Sequence, residues 1–330
     1  MSGVKNNRLL RWLVDPEPPG LGIDLRAEEM SLVRLSDKRR PPEIDLSVVA
    51  PLPPGLLRFH MLEPNILDEE GFAKALSSAL LRAGLGGGKR VGLSIPDPLA
   101  RIAVMELPDP PRSSAELVEF LKFRMKKSLP FDVENARVAF ERIPGEAPTF
   151  LTGVMHEAVV SQYEEVFTRI GLHLGMVLPA SVSLLQVLRP LARRELAPGA
   201  DYFFVNAERE YFSVALVRHG DIPSLIRTLG LRAEDGTGRL YGEEDLLQEI
   251  IPTAIYYREK LSGGELARVY YRSLRPDLVR LRDVLEEQFE APSEPFNLAK
   301  AIPLGGDVRL DGEAADAVAA AAGAARGKAA

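Results

Sequence analysis

Few residues of this sequence have the type and spacing for chemistry. Gly22-Ile23-Asp24-Leu25 places a carboxylate at the end of an apolar segment, just before the polar turn Arg26-Ala27-Glu28-Glu29. Asp24 there is either a metal-orienting group or a plain strand-end carboxylate. Glu28 and Glu29 are neighbours on an exposed turn and lack the burial that general acid–base catalysis needs. His60, His156, His173 and His219 are scattered and form no HExxH or other two-ligand helical spacing, so no metal site is expected. Gly84-Leu85-Gly86-Gly87-Gly88-Lys89 misses the spacing of a phosphate-binding P-loop, with Arg90 where a hydroxyl residue belongs, and reads as a surface turn. No serine sits in a G-x-S-x-G elbow.

The composition narrows the field further. With 330 residues, 46% of them hydrophobic and 27% charged, the chain exceeds the usual size of one core, and two packed domains are expected. A net charge of −6 offers no overall positive field to a polyanion, so nucleic acid is not expected as a partner. The absence of cysteine excludes disulfides, thiol chemistry and thiolate-bound zinc, and fits a reducing compartment. No run approaches the ~20 apolar residues that span a bilayer, which points to the cytoplasm. Arg8-Leu9-Leu10-Arg11-Trp12-Leu13-Val14 reads as part of an N-terminal arm packed on the fold, with a single amphipathic turn at a membrane or partner as the other reading.

Those residues must be positioned by an α/β framework. Alternation and turn residues predict a hairpin over 22–25 and 30–35, then strands over 43–49, 57–62, 91–95 and 102–107, with a helix over 72–81. The capping box Ser113-x-x-Glu116 opens a helix with Leu117, Leu121 and Met125 on one face; Lys122, Arg124, Lys126 and Lys127 crowd its end, where they suit the helix dipole. Strands over 133–142, 150–155 and 172–178 and helices over 156–170 and 180–196 follow, up to the linker Pro198-Gly199. A meander over 202–205, 211–217 and 222–229, a loop over 235–242, a helix over 243–260, a strand over 267–271 and a helix over 277–289 complete the pattern. The alanine-rich segment from Asp311 carries few large apolar side chains and is expected to be a disordered tail.

Two α/β halves that each begin with a hairpin or meander have the layout of the actin-like duplication. The sequence resembles the PilM branch of the FtsA/PilM actin-like superfamily, proteins of type IV pilus assembly. The likeness is carried by Gly22-Ile23-Asp24-Leu25, by Glu119-Phe120-Leu121-Lys122-Phe123-Arg124 through Ser128-Leu129-Pro130-Phe131-Asp132-Val133-Glu134-Asn135-Ala136, by Val154-Met155-His156-Glu157-Ala158-Val159-Val160 with Ile170-Gly171-Leu172-His173, and by Leu246 to Leu261 with Val269-Tyr270-Tyr271. The resemblance implies an actin-like (ribonuclease H-like, duplicated) fold with an inserted small subdomain. The expected divisions are an arm over 1–19, a first domain over 20–198 with the insert at about 111–178, a second domain over 199–310 and a tail over 311–330. It also implies a cytoplasmic protein, peripheral to the inner membrane through its partners, that binds the N-terminal tail of a PilN-like bitopic membrane protein and meets other platform subunits.

An actin-like nucleotide site needs glycine-rich turns whose N–H groups approach phosphate, with an acid on each hairpin for the metal. Gly22, Asp24 and Asn206 occupy the matching positions, but Arg26 replaces the first-loop glycine. Glu208 and Glu210 stand where the second loop needs glycine and a hydroxyl residue, and Arg272-Ser273-Leu274 replaces the adenosine-side glycines. The expectation is a degenerate site, no cofactor and a non-catalytic scaffold. The alternatives are an ATP- and magnesium-binding actin-like ATPase and a GspL-like platform component of type II secretion. Phe120, Phe123, Phe131, Val133 and Val138 are the expected partner-contacting residues, each with core packing as the competing reading.

Overall fold

The structure, a computed structural model, describes residues 18–36, 41–143, 147–229, 242–306 and 308–327. Most of the N-terminal arm, including Arg8 to Val14, and nearly all of the expected 235–242 loop lie outside them.

The first sheet begins with an antiparallel meander, β1 (Leu21–Leu25), β2 (Glu29–Ser36) and β3 (Glu43–Pro51). Helix α1 (Glu69–Arg82) crosses to β4 (Lys89–Ile95), parallel to β1, and β8 (Leu172–Pro179) pairs parallel with β4 to complete the order β3-β2-β1-β4-β8. The second sheet repeats the plan with β9 (Tyr202–Ala207), β10 (Phe212–Arg218), β11 (Ile222–Leu229), β12 (Arg268–Ser273) and β13 (Ser293–Pro295), in the order β11-β10-β9-β12-β13. β1 and β9 hold the same central place and are buried along their whole length, which is why both read as unbroken apolar runs.

Local chemistry sets the helix ends. Asp68 accepts from the Gly71 N–H at the start of α1, with Glu69 and Glu70 in the first turn and Arg82 in the last. Ser113 accepts from the Glu116 N–H to open α2 (Ser114–Met125), whose Leu117, Leu121 and Met125 are buried. Helix α3 (Glu157–Arg169) buries Val159, Val160, Tyr163, Val166 and Phe167, and Gly171 at φ +77° lets the chain turn back. Helix α4 (Ala180–Glu195) joins the halves, while α5 (Glu243–Glu259) and α6 (Leu281–Phe289) cover the second sheet.

A third, antiparallel sheet, β5 (Arg101–Glu106), β6 (Ala136–Ile143) and β7 (Thr149–His156), has the order β5-β7-β6 and carries α2 on one face. The insert therefore runs from Arg101 to His156 rather than over 111–178: α3 packs into the first core and β8 belongs to the first sheet. The strand expected over 57–62 is an irregular loop. Its backbone is fastened by Asn65, which donates from Nδ2 to the His60 and Glu63 carbonyls.

The largest correction concerns the expected disordered tail. After α7 (Leu298–Ala301) the chain returns to the first domain, and Gly312–Arg326 forms α8 against β1, β2, β4 and α4, with Val318 to Ala325 buried. A Cβ on Gly22 would lie 1.9 Å from the Ala321 carbonyl oxygen, one on Gly92 2.0 Å from that of Ala324, and one on Gly323 1.8 Å from that of Ser183. Backbones meet directly here, so small side chains are a packing requirement. Alanine also has the highest helix propensity and little side-chain entropy to lose.

Candidate functional site

Two places gather the candidate residues: the cleft between the duplicated halves, filled by buried polar side chains, and a groove beside the inserted sheet. In the cleft, β1 delivers Asp24, almost fully buried, and burial pushes its carboxyl up against the opposing pull of Arg26. Arg26 turns inward from the first hairpin: its Nη1 is 3.9 Å from Asp24 Oδ2, its Nε 3.1 Å from Glu29, and its Nη2 donates to Ser31 Oγ at 2.8 Å. Gly22 serves the approach of α8 rather than any group in the cleft.

From the other half, β12 lies in register with β9 so that Arg272 neighbours Asn206. The Arg272 side chain is wholly buried. Its Nη1 donates to Asn206 Oδ1 at 2.6 Å and Glu208 Oε1 at 2.5 Å, and its Nε donates to the Asp316 carbonyl of α8 at 2.7 Å. Burial lifts the Asp316 carboxyl to about 6 against the pull of Arg272. The two hairpin turns are bridged at the surface by Arg209 and Glu28, 3.6 Å apart. The Arg272 guanidinium thus fills the space between the second hairpin and α8, paired with Glu208 and hydrogen-bonded to Asn206. Sequence reasoning placed Arg272 as filler on the adenosine side; its inward turn and its pairing with Glu208 depend on the β9–β12 register.

A second buried acid went unnoticed. Asp97 follows β4 and is fully buried, accepting from the Ser181 N–H at the start of α4 at 2.9 Å and from Ser213 Oγ on β10 at 2.5 Å. It ties the two halves together, and burial pushes its carboxyl up to about 6. Its only sequence signal was a lone acid between two prolines directly after an apolar strand.

The groove is a cavity of about 390 Å³ between the face of the inserted sheet opposite α2 and the edge of the first sheet. It is lined by consecutive residues of β6, Arg137 to Glu141, and of β8, Leu174 to Pro179. Both are edge strands, so unpaired backbone groups border it on two sides. Its floor is apolar, with Ile102, Leu151, Met155 and Val182, and Gly153 leaves open space above β7. At the rim Arg137 donates to Glu157 and Glu164. Of the expected contact residues, Val138 borders this groove on the edge strand while its side chain packs in the clusters under α2. Phe131 and Val133 pack under the end of α2, Phe131 edge-on to His156 at 5.0 Å, while Phe120 and Phe123 are exposed on α2.

Two five-stranded sheets of identical order, joined through α4 and α8 around a cleft, define an actin-like protein. No family model and no curated protein matches the chain. Among solved structures, it is similar to a chain of the PilM-PilN type IV pilus biogenesis complex at 21% identity, over 94% of this chain and 98% of that chain, with a TM-score of 0.74. Fainter likenesses reach a Bacteroides thetaiotaomicron protein with an actin-like ATPase fold (12% identity, 86% of this chain and 91% of that, TM-score 0.49). They also reach the cytoplasmic domain of EpsL, an inner membrane component of the Vibrio cholerae type II secretion system (11%, 85% and 91%, TM-score 0.48). The expected fold is therefore present, in the form found in the pilus complex. Among the described residues no helix is long and apolar enough to cross a membrane.

Proposed function

We propose that this chain is a non-catalytic cytoplasmic scaffold of a type IV pilus assembly platform. It receives the N-terminal tail of a PilN-like inner-membrane protein in the groove between β6 and β8, and it holds no nucleotide. The observation that carries the reading is the sealed Arg272–Glu208–Asn206 cluster, which puts a fixed guanidinium where an ATPase would place exchangeable metal and phosphate. The groove supports the partner half of the reading. An extended segment can add to either free edge, while its side chains enter the apolar floor.

The test is calorimetric titration of the protein with ATP and magnesium, and separately with a synthetic peptide of the partner's tail. Peptide binding without ATP binding is the expected result. Micromolar ATP binding overturns the scaffold reading and makes Asp24 and Asn206 the first positions to mutate. Failure of the peptide to bind removes the groove assignment.

A further inference from the structure

The face of α2 turned away from the groove carries a feature that neither the fold nor the cleft requires. Phe123 is 72% exposed and Phe120 36% exposed, on a helix that already buries Leu117, Leu121 and Met125. The spacing i, i+3, i+4 sets Phe120, Phe123 and Arg124 along one stripe, and Lys126 and Lys127 follow in the short 3-10 turn at the helix end. Arg124, Lys126 and Lys127 are exposed, and none lies within ion-pair distance of a carboxylate among the described residues, whereas Lys122 is paired with Glu119 at 3.2 Å. Glu116 lies two turns before Arg124, and Asp132 and Glu134 stand beyond Pro130. Favourable interaction with the helix dipole accounts for cations at this end but not for two exposed phenylalanines beside them.

We infer that this stripe docks on an anionic lipid surface, with Phe123 entering the interface and Arg124, Lys126 and Lys127 meeting headgroup phosphates. The chain as a whole is acidic at −6, so the patch is a local reversal of charge, complementary to an anionic bilayer. A convex helix with protruding aromatic rings suits a bilayer better than a peptide, which needs a groove or a free strand edge. The inference rests on the proposed function in one respect: the membrane-tethered tail keeps the chain close to the bilayer that α2 would meet.

The test is co-sedimentation of the full chain with phosphatidylcholine vesicles and with vesicles containing about one third phosphatidylglycerol. Binding to the anionic vesicles alone, weakened by salt, is expected, with a loss of about fivefold for each cation removed. Arg124→Gln with Lys127→Gln, and separately Phe123→Ser, should each reduce it. The basic Arg8–Val14 stretch is kept in every protein, so only binding that depends on α2 counts. Undiminished binding by these variants, equal binding to neutral vesicles, or no binding to anionic ones overturns the inference. So does preferential binding of soluble polyglutamate over vesicles, which would make the stripe a protein site. The vesicles contain no tail peptide, and the variants lie across the sheet from the groove. Their peptide titration should be unchanged, so failure here and failure of the scaffold reading are separately visible.

Discussion

Arg272 and Glu208 form an ion pair at 2.5 Å, with side chains 0% and 4% exposed, in the middle of the cleft. Two charges so placed have lost their hydration, and Arg272 is held by Glu208, Asn206 and the Asp316 carbonyl. Removing one partner is far more damaging than removing both, because the survivor stays buried without the opposite charge beside it. Arg272→Met should cost about 3–5 kcal/mol in urea unfolding, and the double variant Arg272→Met with Glu208→Leu should recover a large part of it. A single variant as stable as wild type would show that the pair does not hold the cleft.

Asp97 makes stability depend on pH in a direction opposite to that of a paired surface acid. Its pKa is about 6 in the fold against 3.8 for a free aspartate carboxyl, so between these values the folded state binds the extra proton. The resulting stabilisation is complete below pH 3.8 and is lost as pH rises through 6, on the order of 1–3 kcal/mol. Asn at this position can accept from the Ser181 N–H and donate to Ser213 without ionising. Asp97→Asn should therefore gain stability relative to wild type between pH 4 and pH 7, read as the difference between two urea midpoints at each pH. A flat difference would exclude a buried, titrating carboxyl.

Two glycines of α8 should respond in opposite ways. Gly323→Ala drives a methyl group toward the Ser183 carbonyl, 1.8 Å away, and should destabilise by about 1–3 kcal/mol or more. Gly312→Ala meets open space in the first turn and should leave stability unchanged or raise it by up to about 1 kcal/mol. Thermal unfolding of the pair checks the contact, and equal effects would contradict it.

Gly153 allows the groove to be filled without strain, since a Cβ there meets no atom within 4 Å. Gly153→Leu should weaken binding of the tail peptide at least about tenfold while the melting temperature holds or rises. Unchanged peptide affinity would move the partner site elsewhere.

The framework was legible where burial leaves a periodic trace: the central runs Leu21–Leu25 and Tyr202–Ala207, the Ser113 cap and the amphipathic face of α3. It was not legible where the deciding contact is remote. Residues 101–106 pair with β7 rather than with the first sheet, and the strand content alone does not distinguish the two. The loss of cleft glycines was readable position by position, but the Arg272–Glu208 pair spans 64 residues and needs the register to be seen. The alanine-rich helix was misread because counting large apolar side chains overlooks cores made by direct backbone approach.

That helix also dictates an order of events during synthesis. Ser31 donates its hydroxyl to the Ala317 carbonyl, 286 residues away, and β1 and β4 lie against the same helix. The half translated first must leave one face of its central strands uncovered until α8 clears the ribosome, while the second sheet and the helices α4, α5 and α6 that cover it lie within one continuous stretch, over Ala180–Pro295. The domain nearer the amino terminus is thus the one that finishes last, and a nascent chain stalled before Gly312 lacks the helix that closes over Gly22, Ser31 and Gly92 on one face of its first sheet.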